Sequence, residues 1–175
     1  MEYILLLTAC INPDGMPFTC LADVGVRKKQ YIEALNFYLK NTTRKIVFVE
    51  NSGTDISSSF KDFQHRIEFL CFDGNLCFDK RKGKGYGEAL ILEYAMAKSE
   101  FITDDVLIFK LTGRLQLINI NRLIHYMDKL SPSKNFVCVV PPQNNSVDSR
   151  CFVCNKYSYM PCNTTSRNAG MPRKP

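Results

Sequence analysis

A succession of short apolar runs, each stopped by a polar turn, sets the narrowest limits on what this chain can fold into. The first, Tyr3-Ile4-Leu5-Leu6-Leu7-Thr8, shows no alternation of apolar and polar residues and gives way to Asn12-Pro13-Asp14-Gly15. Such a strand is buried on both faces, the condition of an inner strand in a parallel sheet covered by helices above and below. Lys45-Ile46-Val47-Phe48-Val49, Ile67-Glu68-Phe69-Leu70-Cys71-Phe72, Val106-Leu107-Ile108-Phe109-Lys110-Leu111 and Phe136-Val137-Cys138-Val139-Val140 repeat the pattern. Arg150-Cys151-Phe152-Val153-Cys154 is a further extended piece.

Between these runs the period changes. Arg27 to Leu39 gathers Tyr31, Ile32, Leu35, Tyr38 and Leu39 on one face, which predicts an amphipathic helix. A short helix is expected near Ser57, a longer one to about Ser99, and another over Asn119 to Lys129 with Leu123, Ile124 and Met127 inward. Strands alternating with helices predict an α/β fold, a single domain with a mostly parallel central sheet flanked by helices. At 175 residues there is material for one such domain. It is expected over residues 1–162, and the aperiodic polar stretch 163–175 reads as a tail.

Composition narrows the ligand. A 45% hydrophobic and 23% charged chain is ordinary for a globular domain. The net charge of +6 is concentrated around 80–84, which favours an anionic ligand over nucleic acid. No run approaches the ~20 apolar residues of a membrane span. Met1–Ile11 has Glu2 and lacks a basic leader, unlike a signal peptide. Cys10, Cys71, Cys138, Cys151 and Cys154 lie in or beside apolar runs and are expected to be reduced core thiols, which predicts a cytoplasmic location.

The charge belongs to Lys80-Arg81-Lys82-Gly83-Lys84-Gly85-Tyr86-Gly87-Glu88, directly ahead of the apolar run 89–97. Glycine permits close backbone approach, a helix start presents unpaired N–H groups, and lysine adds full charge, so the stretch reads as a phosphate site with Lys84 and Lys82 as charge partners. It is not a Walker A loop, because Gly85 follows Gly83-Lys84 where Ser or Thr is required. Nor is it the dinucleotide fingerprint, whose glycines are spaced differently and follow the first strand. A solvated basic loop remains the other reading of the same residues.

Open α/β sheets bind ligands beyond the carboxyl ends of their strands. That rule selects Thr8, Glu50-Asn51-Ser52, Asp73-Gly74, and Lys110 with Thr112-Gly113-Arg114. Lys110 closes an apolar strand and Arg114 follows a turn glycine, so both are expected either to face the crevice, as partners of a departing diphosphate, or to be solvated at the sheet edge. No metal site is predicted. Cys151 and Cys154 form a lone pair that strand alternation sends to opposite faces, and Asp104-Asp105 lacks the spacing of a metal-binding Asp-x-Asp.

Taken in order, the apolar first strand, Glu50-Asn51-Ser52-Gly53, Gly83-Lys84-Gly85-Tyr86-Gly87-Glu88-Ala89 and Ile108-Phe109-Lys110-Leu111-Thr112-Gly113-Arg114 resemble bacterial glycosyltransferases of surface-polysaccharide synthesis. These enzymes have the nucleotide-diphospho-sugar transferase (GT-A) fold. The resemblance implies a nucleotide-diphosphate sugar as donor substrate, with Thr8 and Glu50 near the nucleoside and Glu50 accepting hydrogen bonds from base or ribose; Ser52 is a further candidate for donor binding. It implies that Lys84, Gly85 and Glu88 contact diphosphate and sugar. Lys110 and Arg114 stand where many such enzymes keep a metal-binding Asp-x-Asp, so protein cations are expected in place of a metal. Asp148 is the candidate base for an acceptor hydroxyl, though its surroundings also fit an Asx turn.

The implied partners are a nucleotide sugar and a glycan or lipid-linked acceptor, without nucleic acid, with peripheral association at the inner membrane face. Enzymes of this fold usually continue into acceptor-binding helices, whereas this chain becomes polar after Cys162. Two alternatives therefore stand beside the transferase: a truncated, non-catalytic nucleotide-sugar-binding remnant, and a sugar nucleotidyltransferase.

Overall fold

Strand β1 (Glu2–Ala9) is buried at every residue after Glu2, because it pairs in parallel on both edges, with β2 (Ile46–Glu50) and with β4 (Val106–Thr112). The computed structural model describes residues 2–16, 19–74, 79–129, 136–138 and 148–159. These form a six-stranded sheet of order β3-β2-β1-β4-β6-β5, in which β3 is Ile67–Cys71, β5 is Phe136–Cys138 and β6 is Cys151–Cys154. β6 runs antiparallel to both of its neighbours, and the other strands run parallel to β1. The fold is thus α/β with a mostly parallel sheet flanked by helices.

Side chains that alternate along β1 build the two core layers. Tyr3, Leu5, Leu7 and Ala9 pack against helix α1 (Val24–Asn41), through Tyr31, Leu35 and Tyr38, and against α3 (Ile120–Lys129), through Ile120, Ile124 and Met127. Ile4 and Leu6 face the opposite layer, where helix α2 (Gly83–Lys98) supplies Ile91, Leu92, Ala95 and Met96. The chain leaves β1 by α1 toward β2 and β3, then returns over the other face by α2 to reach β4 on the far side of β1. Strand order therefore reverses between β1 and β4, and the crevice beyond their carboxyl ends is the place where this architecture accepts a ligand.

Element ends depart from the sequence expectation where caps decide them. α1 begins three residues before Arg27, because the Asp23 carboxylate accepts the Val26 amide at 2.7 Å. Cys71 is exposed, contrary to the expected core thiol, because it ends β3 at the margin of the sheet, where a single neighbouring strand covers it. Cys154 is buried while Cys10, Cys138 and Cys151 are half-buried; Cys151 and Cys154 do lie in opposite core layers. The expected strand residues Val139 and Val140 and the tail 163–175 lie outside the described residues. No helix among the described residues is long and apolar enough to cross a membrane.

Candidate functional site

The ends of β1 and β4 meet through Gly113, whose amide donates to the Thr8 carbonyl at 2.8 Å. A Cβ at Gly113 would itself stand 2.8 Å from that oxygen, so the residue that closes this junction has no side chain. Beside the junction opens a cavity of about 370 Å³. Thr8 and Cys10 form its floor at the end of β1, Arg27 and Tyr31 of α1 flank one side, and Lys84 and Glu88 of α2 flank another. Thr112 and Arg114 close it beyond β4, and Asn51 reaches it from the end of β2. Its volume falls within the ~300–1,000 Å³ usual for small-molecule sites.

Two exposed cations, Lys84 and Arg114, stand in this lining on different elements. α2 begins at Gly83, which has a left-handed φ of 78°, and Lys82 gives the helix no side-chain cap. The first N–H groups of the helix therefore add their partial positive charge beside Lys84. Gly85 is exposed in the same first turn, and a Cβ there would meet nothing within 4 Å. Elsewhere in the basic stretch, Lys82 lies 4.4 Å from the centre of the Tyr86 ring, and Arg81 pairs with Asp79 at 2.9 Å.

Arg27 and Tyr31, expected only as part of an amphipathic helix, also belong to the cavity lining. Arg27 is buried, and its guanidinium donates to the carbonyls of Cys10 at 2.9 Å, Ile11 at 3.2 Å and Leu21 at 3.1 Å, which ties both ends of the β1–α1 loop to the helix. The Tyr31 hydroxyl accepts the Cys10 amide at 3.0 Å. Burial pushes the Cys10 thiol and the Tyr31 phenol up from their ordinary pKa values. The available signal was the spacing of Arg27 and Tyr31, one helical turn apart at the start of an apolar face.

Lys110 is placed differently from an open crevice cation. It is fully buried and does not line the cavity; its ammonium pairs with Glu88 Oε1, donates to the Ser149 carbonyl and lies 5.6 Å from the centre of the Phe152 ring. The physical reason is strand alternation, which turns Lys110 with Leu6 and Ile108 toward the layer under α2. Thr8 shares that face, and its hydroxyl donates to the same Glu88 oxygen at 2.8 Å. Glu88, with 27% of its side chain exposed, is the member of this junction that both lines the cavity and touches the buried ammonium.

Glu50 is 1% exposed, and both of its oxygens receive donors of the chain itself. Oε1 accepts the Ile11 amide at 2.8 Å and the Ser52 hydroxyl; Oε2 accepts the Ser52 amide at 2.8 Å and the Thr54 amide at 2.9 Å. Ser52 Oγ in turn accepts the Asn12 amide at 2.9 Å. Glu50 and Ser52 thereby fasten the loop after β1 to the loop after β2, and neither lines the cavity.

Asp148 also lies outside the cavity lining. Its carboxylate forks onto the Arg150 guanidinium, with contacts at 2.7 and 2.9 Å, and accepts the Arg150 amide at 3.0 Å. Those bonds, the side-chain ones foremost, pull its pKa down to about 2. Among the described residues no three His, Cys, Asp or Glu side chains gather as a metal-holding group.

No protein-family profile matches the chain, and no curated protein matches it in sequence. Among solved structures, the crystal structure of 4-diphosphocytidyl-2C-methyl-D-erythritol synthase is similar at a TM-score of 0.44 and 11% identity, covering 89% of this chain and 75% of that one.

Proposed function

We propose that this protein binds a nucleotide-diphosphate sugar in the crevice between β1 and β4 and acts as a glycosyltransferase on a glycan or lipid-linked acceptor. The observation that carries the reading is the pair Lys84 and Arg114, set around one cavity at the strand-order reversal beside a helix start to which Lys82 gives no side-chain cap. Two cations and a helix N-terminus suit the negative charge of a diphosphate, and developing charge on a leaving diphosphate is stabilised by groups already in place. Lys84 and Arg114 take that role in the absence of a metal requirement, so turnover persists in a chelator. Glu50, Ser52, Arg27 and Tyr31 act one step back, by fixing the loops that form the floor.

The same pocket chemistry serves sugar nucleotidyl transfer, the second reading, in which a nucleoside triphosphate and a sugar phosphate release pyrophosphate. The fork of Asp148 onto Arg150 favours keeping that reading open. A carboxylate held at about 2 is a weak general base near neutral pH, so glycosyl transfer through Asp148 requires Arg150 to let it go. Calorimetric titration with uridine, guanosine and cytidine diphosphates and their sugars tests the site. Release of free sugar or glycan product supports the glycosyltransferase, pyrophosphate release supports the nucleotidyltransferase, and binding without turnover supports a non-catalytic binding protein. Failure of every nucleotide to bind refutes all three.

A further inference from the structure

A carboxylate in the wall of a phosphate site poses an electrostatic problem, because a fixed negative charge repels the anion that Lys84 and Arg114 attract. Glu88 is such a carboxylate, lining the same cavity as those two cations. Its Oε1 is held by the Thr8 hydroxyl at 2.8 Å and by the Lys110 ammonium, and the described contacts of the side chain fall on that one oxygen. Lys110 has no exposure to solvent; it also meets the Ser149 carbonyl and the Phe152 ring and acts through space on the Asp148 carboxylate, whereas Glu88 is the carboxylate in direct contact with that charge. With the ammonium fully buried and the carboxylate partly so, solvent screens the pair less than it does a surface ion pair.

We propose that Lys110 is a positioning and charge-compensating residue of the pocket: by neutralising and orienting Glu88 it lets one carboxylate stand beside a phosphate site and accept a hydroxyl of the sugar attached to that phosphate. The inference rests on the nucleotide-sugar reading and deepens it. The pocket then discriminates by chemical class. Lys84 and Arg114 recognise the diphosphate, whereas Glu88 Oε2 favours a ligand carrying a hydroxyl next to the phosphate over the bare diphosphate. Lys110 touches neither part of the ligand and acts through Glu88. Its hold on Ser149 also links α2 to the turn before β6, so the Glu88 position and the Asp148-Arg150 turn are set by one ammonium.

Calorimetry on the full chain separates this from a purely structural ion pair, with nucleoside diphosphates and the matching nucleotide sugars titrated into the unsubstituted protein, Lys110→Met, Glu88→Gln and the double variant. Lys110→Met leaves the Glu88 charge uncompensated, and its affinity for the bare diphosphate falls on the order of tenfold, the Coulomb effect of one nearby charge at intermediate screening. The double variant removes both charges and regains the diphosphate affinity, which a structural role does not produce. Glu88→Gln and the double variant both lose the preference for sugar-bearing over bare diphosphate. Where Lys110→Met does not fold, Glu88→Gln and the double variant still decide, because retention of the sugar preference in either overturns the proposal. Diphosphate affinity in Lys110→Met equal to that of the unsubstituted protein, or no recovery in the double variant, overturns it as well. In each of those cases the unsubstituted protein binds nucleotide and the donor reading stands; absence of any nucleotide binding by the unsubstituted protein refutes the donor reading and the inference together.

Discussion

Glu50→Gln is the substitution that most directly separates a carboxylate that reads a ligand from one that holds the fold. Glu50 is almost fully buried and accepts three backbone amides, the Ser52 hydroxyl and the Cys71 thiol. Glutamine keeps the shape but replaces one acceptor oxygen by an NH2 group. The less costly orientation sets that NH2 at the Oε1 position, because the Ser52 hydroxyl there can turn to accept from it, whereas the Ser52 and Thr54 amides at Oε2 cannot. The Ile11 amide then loses its partner, which costs about 1–3 kcal/mol for a buried donor. The bonds that remain at the other oxygen, from the Ser52 and Thr54 amides and the Cys71 thiol, lose charge assistance, so the expected total is roughly 2–4 kcal/mol. For a chain of this size that corresponds to roughly 4–16 °C in Tm. The chain has no tryptophan, so circular dichroism with urea and with heat is the suitable measurement. Stability within about 0.5 kcal/mol of the unsubstituted protein refutes the reasoning, since that is the ordinary scatter of a surface substitution. Unchanged stability with lost nucleotide affinity would return Glu50 to the nucleoside contact implied by the family resemblance.

Lys84→Ala and Arg114→Ala are each expected to weaken nucleoside-diphosphate binding by about 1.5–3 kcal/mol, the range of charge-assisted hydrogen bonds, and unchanged affinity in both removes the phosphate reading. Gly113→Ala forces a Cβ to 2.8 Å from the Thr8 carbonyl, so thermal unfolding shifts downward by the equivalent of about 1–3 kcal/mol, and an unchanged melt shows that the β1–β4 junction relaxes freely. Asp148 is held at about 2 in the fold against the usual 3.8, so its stabilising contribution is complete above about pH 4 and disappears as pH falls toward 2. Acid melts of Asp148→Asn therefore converge with those of the unsubstituted protein across that window, and a constant gap refutes the assignment. Burial first, then the neighbouring Glu50 carboxylate, push the Cys71 thiol up to about 11. Alkylation of Cys71 at pH 8, followed by peptide mass spectrometry, is expected to be far slower than that of a free thiol in spite of its exposure.

The fold was legible because its signals are local. An apolar run without alternation demands cover on both faces, and Tyr3–Thr8 occupies the inner strand that the run required. The antiparallel direction of β6 was not legible, since a four-residue strand carries no mark of its orientation. At the site, Lys84 and Arg114 were visible as cations at a helix start and beyond a strand end, the places where an open α/β sheet meets its ligand. Arg27 was not, because an arginine at the beginning of a helix looks solvated until the loop it ties down is seen folded back upon it. Glu50 and Ser52 were visible as polar strand-end residues, but whether such groups bind ligand or their own loop depends on where the Ile11 and Thr54 amides fall.

Lys110 and Arg114 lie four residues apart in one motif, yet the first is buried and the second lines the cavity, and the reason bears on how the site works. Lys110 is still inside β4, where its parity places it with Leu6 beneath α2, whereas Arg114 follows Gly113 and has left the sheet. A lysine so enclosed is costly unless a carboxylate meets it, and the carboxylate that does so belongs to the first turns of the helix that carries Lys84. The ion pair therefore ties the strand to the helix start at the point where both must be fixed relative to one ligand. Replacing Lys110 and Glu88 together by Met and Gln removes the desolvated charges and can leave stability nearly unchanged, whereas replacing Lys110 alone leaves a partly buried carboxylate without its partner. A double variant that is as stable as the unsubstituted protein but indifferent to the sugar would place the purpose of the pair in recognition. A double variant that is markedly less stable would place it in the attachment of α2 to the sheet.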